Sequence, residues 1–232
     1  MMEQFGQVRA RFAERIGRSC LLACMCLLTG CAGDSDIAQV ASLLYRGLSE
    51  SNTKIPRETA AAVPFATMGI AFGSSPQALL ILGATMNEEL DWYAGDQVFV
   101  ATRHGRVIRT VGLPYDLGGA HLLSTASGAP AVGNAQATDA MTLDFPDLGV
   151  FDAAAKCSSK IIGDDDVEIL GARVATRHIV EHCEVTVLRW KFYNDFWQDR
   201  MTGYVWRSRQ YIHPKSPPLV LEVLRPEQTG PG

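Results

Sequence analysis

The sequence lacks a hydrophobic run that could cross a bilayer as a helix. Its apolar stretch Cys20–Thr29 is ten residues long, about half the length that a spanning helix needs. The sequence also lacks clustered Lys and Arg beyond its first 18 residues. Such clusters are what displaces counterions from nucleic acid, so we expect no nucleic-acid partner.

Recognisable catalytic motifs are missing as well. No serine lies in a Gly-x-Ser-x-Gly elbow, and no glycine-rich loop has the spacing that cradles phosphate or a dinucleotide. Carboxylates are plentiful, but a glycoside hydrolase needs two of them facing each other across a cleft, a distance that a sequence does not give. We therefore predict no catalytic residues and no enzymatic activity, with glycoside hydrolysis as the alternative.

Metal-binding patterns are weak. His178, His182 and Cys183 are close in sequence and would suit zinc if they converged. Their neighbours are mostly β-formers, and in a strand Cys183 points away from both histidines. The acidic run 164–166 lacks the distal glutamate of a calcium loop and is more typical of a solvated turn. We predict no metal site.

What is present begins with a leader. Four arginines precede the apolar stretch, which ends at Leu28-Thr29-Gly30-Cys31. A basic head, a short apolar middle and small residues before a cleavage point are typical of an export signal. The last four residues resemble the bacterial lipobox, in which the Cys thiol receives a diacylglyceryl group and becomes the new N-terminus. A plain signal peptide or a buried helix is the alternative.

Processing at Cys31 would change the charge and supply the membrane anchor. Removing four of the 21 basic and two of the 25 acidic residues leaves 17 and 23, a net charge of −6. Attachment would therefore come from the acyl chains, at roughly 0.8 kcal/mol per buried methylene. Ala32 takes the place of the Asp that retains lipoproteins at the inner membrane. We expect an outer-membrane, periplasm-facing protein with no cofactor besides the covalent diacylglycerol and N-acyl lipid.

Two cysteines remain after the leader and the lipidated position are set aside. An even pair in an oxidising compartment favours one disulfide, Cys157–Cys183. The alternative is two separate buried thiols.

The mature chain changes from a helical to a strand pattern. Apolar residues in Asp36–Glu50 have helical spacing, whereas from Ala66 onward they alternate with period two. Arg103–Arg106 predicts a hairpin turn, and Gly118–Ala137 predicts a long loop. These features indicate a mainly β protein, an antiparallel β-barrel or barrel-like sandwich with one N-terminal helix. The predicted strands are Ala66–Phe72, Ala78–Leu82, Val98–Thr102, Val107–Val111, Met141–Phe145, Val167–Ala172, Val174–Trp190, Tyr204–His213 and Leu219–Leu224. At 17 residues, Val174–Trp190 is long for one strand, and we expect it to be bent or bulged.

Four segments follow from this pattern. Residues 1–30 are the lipoprotein signal peptide and residues 31–56 the lipidated tether with its amphipathic helix. Residues 57–226 form the β domain, and residues 227–232 are a flexible tail.

An aromatic cluster is the most distinctive local feature, with eight aromatic residues between Trp190 and Tyr211. Such residues most often form core, because each ring buries about 150–250 Å²; a sugar-stacking or partner surface is the alternative. In the strand Tyr204–His213, alternation places Trp206 on one face and Arg207 and Arg209 on the other. The candidate partner- or glycan-binding residues are Trp197, Arg207, Arg209 and Tyr211.

These segments also carry a family resemblance. Gly105–Leu113 with Asp116-Leu117 resembles the hairpin signature of the YjbF/GfcB lipoprotein family. The later part resembles it through Phe196-Trp197, Asp199, Thr202-Gly203, Val205–Ser208, Gln210, Pro214 and the strand Leu219–Pro226. The lipobox and the run Ala78–Gly83 agree with it.

The resemblance implies an outer-membrane lipoprotein with a β-barrel-like domain that serves exopolysaccharide or group 4 capsule production. It carries no catalytic residues over to this chain. The function we expect is non-enzymatic assistance of polysaccharide secretion, through an outer-membrane secretion protein or the polysaccharide itself. A periplasmic enzyme that processes polysaccharide is the alternative.

Overall fold

The computed structural model of the protein describes residues 54–95, 97–123 and 137–227, with the side chains of residues 137–139 left out. The predicted leader, the predicted lipid site Cys31, the predicted helix Asp36–Glu50 and the end of the predicted tail lie outside these residues. Within the described ranges, no helix has the length and apolar character that crossing a membrane requires.

The described chain is built almost entirely of strands. One short helix, α1 (Arg57–Ala62), precedes them. The strands are β1 (Thr67–Phe72), β2 (Ala78–Met86), β3 (Glu89–Ala94), β4 (Val98–Arg103), β5 (Arg106–Val111), β6 (Gly119–Leu122), β7 (Ala137–Phe145), β8 (Val150–Asp164), β9 (Val167–Ile169), β10 (Ala172–Val174), β11 (Thr176–Val185), β12 (Trp190–Asp199), β13 (Val205–Gln210) and β14 (Leu219–Arg225).

Twelve of these strands form one antiparallel sheet. Their order is β5-β4-β3-β2-β1-β14-β13-β12-β11-β8-β7-β6, while β9 and β10 form a separate hairpin. Most neighbours in the sheet are also neighbours in the chain, as short antiparallel connections require. The sheet curls until it is a nearly closed, barrel-like layer, which confirms the predicted fold class.

The loop between β5 and β6 brings the two ends of the sheet together. The carboxylate of Asp116 accepts hydrogen bonds from the Thr110 hydroxyl at 2.9 Å and from the backbone amides of Gly112 and Leu113 at 3.0 and 3.1 Å. The amide of Thr110 in turn donates to the carbonyl of Leu117 at 2.9 Å. An aspartate that bonds nearby backbone amides fixes a turn locally, and here it returns the chain alongside β5.

The predicted hairpin at Arg103–Arg106 is confirmed, and its glycine has a specific role. His104 and Gly105 both have positive φ angles, 48° and 78°, which are the values of a two-residue type I′ turn. A Cβ on Gly105 would lie 2.4 Å from Cβ of Val205. The tip of the β4–β5 hairpin therefore packs directly on β13, and only glycine fits there.

Three sequence predictions about strands are wrong. Val174–Trp190 is not one long strand, because the chain turns through a 3-10 segment at Thr186–Leu188 between β11 and β12. Val167–Ala172 divides into the hairpin β9–β10. At Thr186–Leu188, β-forming residues continue through the turn, so propensity alone does not mark the break. Between β9 and β10 the turn contains Gly171, whose φ angle is 76°, a turn signal that the sequence did carry. The segment predicted as a loop, Gly118–Ala137, contains the strand β6.

Other elements escaped prediction. The 15-residue strand β8 was missed because its buried positions carry small residues, such as Ala153 and Ala155, which give a weak hydrophobic alternation. Strand β2 has one buried and one exposed face, because Leu80 is fully buried whereas Ile81 is exposed. The helix α1 lies in the segment that we assigned to the β domain.

The inner faces of the strands enclose the main core, and a smaller cluster lies outside the sheet. The main core includes Trp92, Phe145 and Phe192. The outer cluster forms where α1 and the β9–β10 hairpin cover the sheet, and it contains Ile55, Ala60, Val167, Ile169 and Leu224. The described part of the tether is held there, since Nζ of Lys54 lies 3.4 Å from the buried Glu222 carboxylate.

Candidate functional site

Three of the four candidate residues predicted from sequence lie on the outer face of adjacent strands, whereas the fourth, Tyr211, packs against the main core. Trp197 of β12 pairs in register with Arg207 of β13. Arg209 is two residues further along β13, and Tyr211 directly follows that strand. Side chains two apart in a strand share a face, which holds for Arg207 and Arg209. Tyr211 lies past the end of β13, and its ring centroid is 6.3 Å from that of Phe192 in the main core. We call this outer surface the outer ledge. Besides the three candidate residues on it, it contains Tyr193 and Asp195 of β12, His178 and His182 of β11 and Glu222 of β14.

The first row of the outer ledge crosses four strands through His178, Trp197, Arg207 and Glu222, which are register partners. The His178 ring stacks on the Trp197 indole, with centroids 4.8 Å apart and planes 8° from parallel. The Arg207 guanidinium carbon lies 5.9 Å from the centroid of the indole. Arg207 donates from Nε and Nη2 to the same Glu222 oxygen at 2.8 and 2.6 Å.

The second row is centred on Asp195. One carboxylate oxygen lies 2.8 Å from Nε2 of His178, and the other accepts from Nη1 of Arg209 at 3.0 Å. The Arg209 guanidinium carbon lies 5.5 Å from the centroid of the Tyr211 ring. Both arginines of the outer ledge are thus paired with carboxylates, and both lie against aromatic rings.

A third row leaves an aromatic ring open to solvent. Tyr193 is 55% exposed, and its ring lies 4.7 Å from that of His182. The candidate residues predicted from sequence do not include four members of this surface, namely Tyr193, His178, Asp195 and Glu222. Strand alternation could have placed Tyr193 and Asp195 beside Trp197, but the cross-strand partners depend on register.

The aromatic cluster between Trp190 and Tyr211 divides between the two sides of the sheet. Phe192 and Phe196 point inward and are buried, whereas Trp197 packs with the outer cluster. The position of Trp206 differs from the alternation that the sequence predicts for this strand. The register shifts beside it, with Trp197 opposite Arg207 and Gln198 opposite Val205. This bulge leaves Trp206 unpaired, so that it also packs with the outer cluster.

The interior of the sheet holds a buried ion pair. Arg106 of β5 donates to both carboxylate oxygens of Glu181 of β11, at 2.9 and 2.5 Å, and the Asn194 amide donates to one of them at 2.9 Å. Burial acts to raise the pKa of the Glu181 carboxyl, but the charge of Arg106 and the hydrogen bonds from Arg106 and Asn194 outweigh it. The pKa of Glu181 therefore lies below its ordinary value, and the pair remains charged.

The disulfide lies beside this pair. Cys157 of β8 and Cys183 of β11 are register partners, and the structure joins them in a disulfide. Together with Glu181 they are the three potential metal ligands that converge within the described ranges. In this arrangement the sulfurs are bonded to each other and the carboxylate is bonded to Arg106, so no ligand is free for an ion. His178 and His182 lie on the opposite face from Cys183, as alternation predicts.

The fold is an antiparallel β domain. The outer ledge gives it an ordered outer surface of aromatic and charged side chains. The family model described as group 4 capsule polysaccharide lipoprotein gfcB, YjbF matches residues 37–224. Because this match covers most of the sequence, the chain belongs to the YjbF family, as its motifs predicted.

Two curated relatives and one solved structure agree with this assignment. The lipoprotein GfcB of Escherichia coli K12 is 27% identical over 171 residues, which cover 71% of this chain and 78% of that protein. The lipoprotein YjbF of the same strain is 26% identical over 157 residues, or 65% and 70%. The crystal structure of the E. coli K12 lipoprotein YmcC has a TM-score of 0.62 at 24% identity, covering 71% of this chain and 89% of that one. At this identity it shows a shared fold.

Proposed function

We propose that this protein is lipid-anchored through Cys31 on the periplasmic face of the outer membrane, where it assists secretion of an exopolysaccharide or capsule without catalysis. In this proposal it acts by binding a secretion protein through the outer ledge. The family description, which links these lipoproteins to a group 4 capsule polysaccharide, supports the process.

The observation that carries the proposal is the fixed arrangement of arginine and aromatic side chains on the outer ledge. Arg207 is held by Glu222, and Arg209 by Asp195. Tyr, Trp and Arg dominate binding energy at protein interfaces. Side chains that are already ordered lose less conformational entropy on binding. The accessible part of this face, around Tyr193 and Arg209, therefore suits a protein partner.

The lipid anchor makes a modest interface sufficient. Acyl chains confine the domain to one leaflet, and confinement raises its effective concentration near a membrane partner. A weak intrinsic affinity between the outer ledge and its partner is therefore enough to keep the two bound most of the time.

The acids of the outer ledge and the interior do not favour the enzyme alternative. A glycosidase needs one carboxylic acid with a raised pKa opposite a second carboxylate. Asp195 lies in an ion pair with Arg209, and the pKa of Glu181 is lowered. Enzymatic turnover remains an outcome that the following experiment detects.

The test is deletion of the gene, followed by complementation with variants of the full chain. Tyr193→Ala combined with Arg209→Ala removes an exposed ring and a partly exposed guanidinium from the outer ledge, and it changes no residue of the buried core. Val187→Ala is the matched control, since Val187 is 68% exposed on a turn. We expect wild type and Val187→Ala to restore extracellular polysaccharide, and the double variant to restore much less at the same membrane level.

Capture of partners from detergent-solubilised outer membrane completes the test. Wild type and Val187→Ala should retain the same outer-membrane protein, and the double variant should lose it. Unchanged secretion after gene deletion, under conditions that induce the polymer, would reject the export role. Cleavage of purified polysaccharide by the wild-type protein would favour the enzyme.

A further inference from the structure

One end of the curled sheet contains a cavity of about 380 Å³. The turns β2–β3 and β4–β5 and the connection β12–β13 surround it, and the end of β14 completes its wall. This volume lies within the range of about 300–1,000 Å³ that is typical of small-molecule sites. The cavity shares only Arg207 with the outer ledge.

The floor and one wall of the cavity are apolar or aromatic. Met68, Trp92 and Leu221 form the floor and belong to the main core. Tyr204 and Trp206 form the wall, with ring centroids 5.2 Å apart and planes at 70°. The indole nitrogen of Trp92 donates to Thr102 at 2.9 Å, so the floor offers no free N–H. A ligand must therefore present an apolar face to this part of the cavity.

The rim of the cavity carries two carboxylates, and both of its basic side chains are paired with acids. Nε2 of His104 lies 3.3 Å from the Glu88 carboxylate, whose side chain is 70% exposed. Glu227 accepts a hydrogen bond from the Tyr204 hydroxyl at 3.1 Å. The lining arginine, Arg207, is already paired with Glu222. The rim therefore presents carboxylates to an entering ligand, which is the opposite of what an anion-binding site presents.

We propose that this cavity binds a pyranose unit of a neutral or amino-bearing polysaccharide, an inference that rests on the proposed export role. A pyranose presents C–H groups on one face and hydroxyls around its edge. The C–H face fits the apolar floor and the rings of Tyr204 and Trp206. The carboxylates of Glu88 and Glu227 can accept hydrogen bonds from hydroxyl or ammonium groups. The same carboxylates repel uronic acids or other anionic sugars.

The experiment compares three tetrasaccharides that differ in charge. The full chain in phospholipid nanodiscs is titrated calorimetrically with chitotetraose, which is neutral, the glucosamine tetramer, which is cationic, and tetragalacturonate, which is anionic. We expect the first two to bind and the anionic one to bind at least about tenfold more weakly, as like-charge repulsion requires. Absence of binding by both the neutral and the cationic probe, or tightest binding by tetragalacturonate, would overturn the proposal.

Two variants locate the binding. Thr85→Tyr places a ring at the mouth of the cavity from an exposed strand end, and should weaken binding by at least about tenfold. Met201→Tyr is its control, because it adds the same ring to an exposed position on a neighbouring connection, outside the cavity lining. Glu88→Gln with Glu227→Gln should weaken binding of the cationic probe more than binding of the neutral one. Equal binding by Thr85→Tyr and wild type would refute the assignment to this cavity.

The cavity and the outer ledge can fail independently. If no probe binds while the outer-membrane partner is still captured, only the cavity proposal falls. If the probes bind but deletion leaves secretion unchanged, the export role falls and the saccharide site stands as measured.

Discussion

The buried ion pair between Arg106 and Glu181 allows a sharp test of how the interior is stabilised. Glu181→Ala would leave the Arg106 guanidinium buried without its carboxylate. Breaking a buried pair from one side costs about 3–5 kcal/mol of unfolding free energy, which for a domain of this size is about 6–20 °C in Tm. Replacing both partners, by Arg106→Met with Glu181→Leu, should recover most of that loss, because it removes both buried charges.

The pH dependence has a defined sign. Because the folded pKa of Glu181 is lowered from 4.5, the ion pair contributes stability that is fully present above that value. The contribution is lost as pH falls through the lowered folded pKa. The difference in stability between wild type and Glu181→Ala should therefore be constant near neutral pH and shrink in acid.

Urea unfolding of the full chain, followed by tryptophan fluorescence, measures both effects. Glu184→Ala is the matched control, since Glu184 lies on the same strand but forms a pair with Lys191 at the surface, where its side chain is 42% exposed. An exposed pair is worth about 0–1 kcal/mol. If Glu181→Ala loses no more stability than Glu184→Ala, or if its deficit does not shrink in acid, the buried pair does not stabilise the fold as described.

Three further predictions concern the anchor, the disulfide and the core. Cys31→Ser should block acylation and processing, which a shift in mobility and loss from the membrane fraction would report. Unreduced peptide mapping should find Cys157 linked to Cys183, and reduction should cost about 3–4 kcal/mol on the chain-entropy account; alkylatable thiols in the native protein would contradict this. Phe196→Ala should cost about 3–5 kcal/mol, clearly more than Trp206→Ala, because Phe196 is fully buried whereas Trp206 is only partly buried; equal losses would contradict this difference in packing.

The sequence predicted the architecture well where local chemistry was strong. Alternating apolar residues and the turn at His104-Gly105 were sufficient for the β4–β5 hairpin and the antiparallel class. Prediction failed where the signal was weak or ambiguous. Small inward residues concealed β8, and β-formers at Thr186–Leu188 concealed the turn between β11 and β12. In both cases tertiary packing outweighs local preference.

The outer ledge shows the same division. The residue types at Trp197, Arg207, Arg209 and Tyr211 made these residues candidates before any register was known. Only the structure shows that Asp195 joins His178 to Arg209, since that contact depends on how three strands align.

By itself, the sequence determined the mainly antiparallel β class and the family motifs, and it predicted the leader with its candidate lipid site at Cys31, because these depend on neighbouring residues and short-range periodicity. The tertiary structure alone decided which acids meet which bases. Arg106 and Glu181 are 75 positions apart, and their contact exists only because the sheet curls until β5 faces β11. The cavity has the same origin, since its lining comes from turns that approach one another only in the curled sheet.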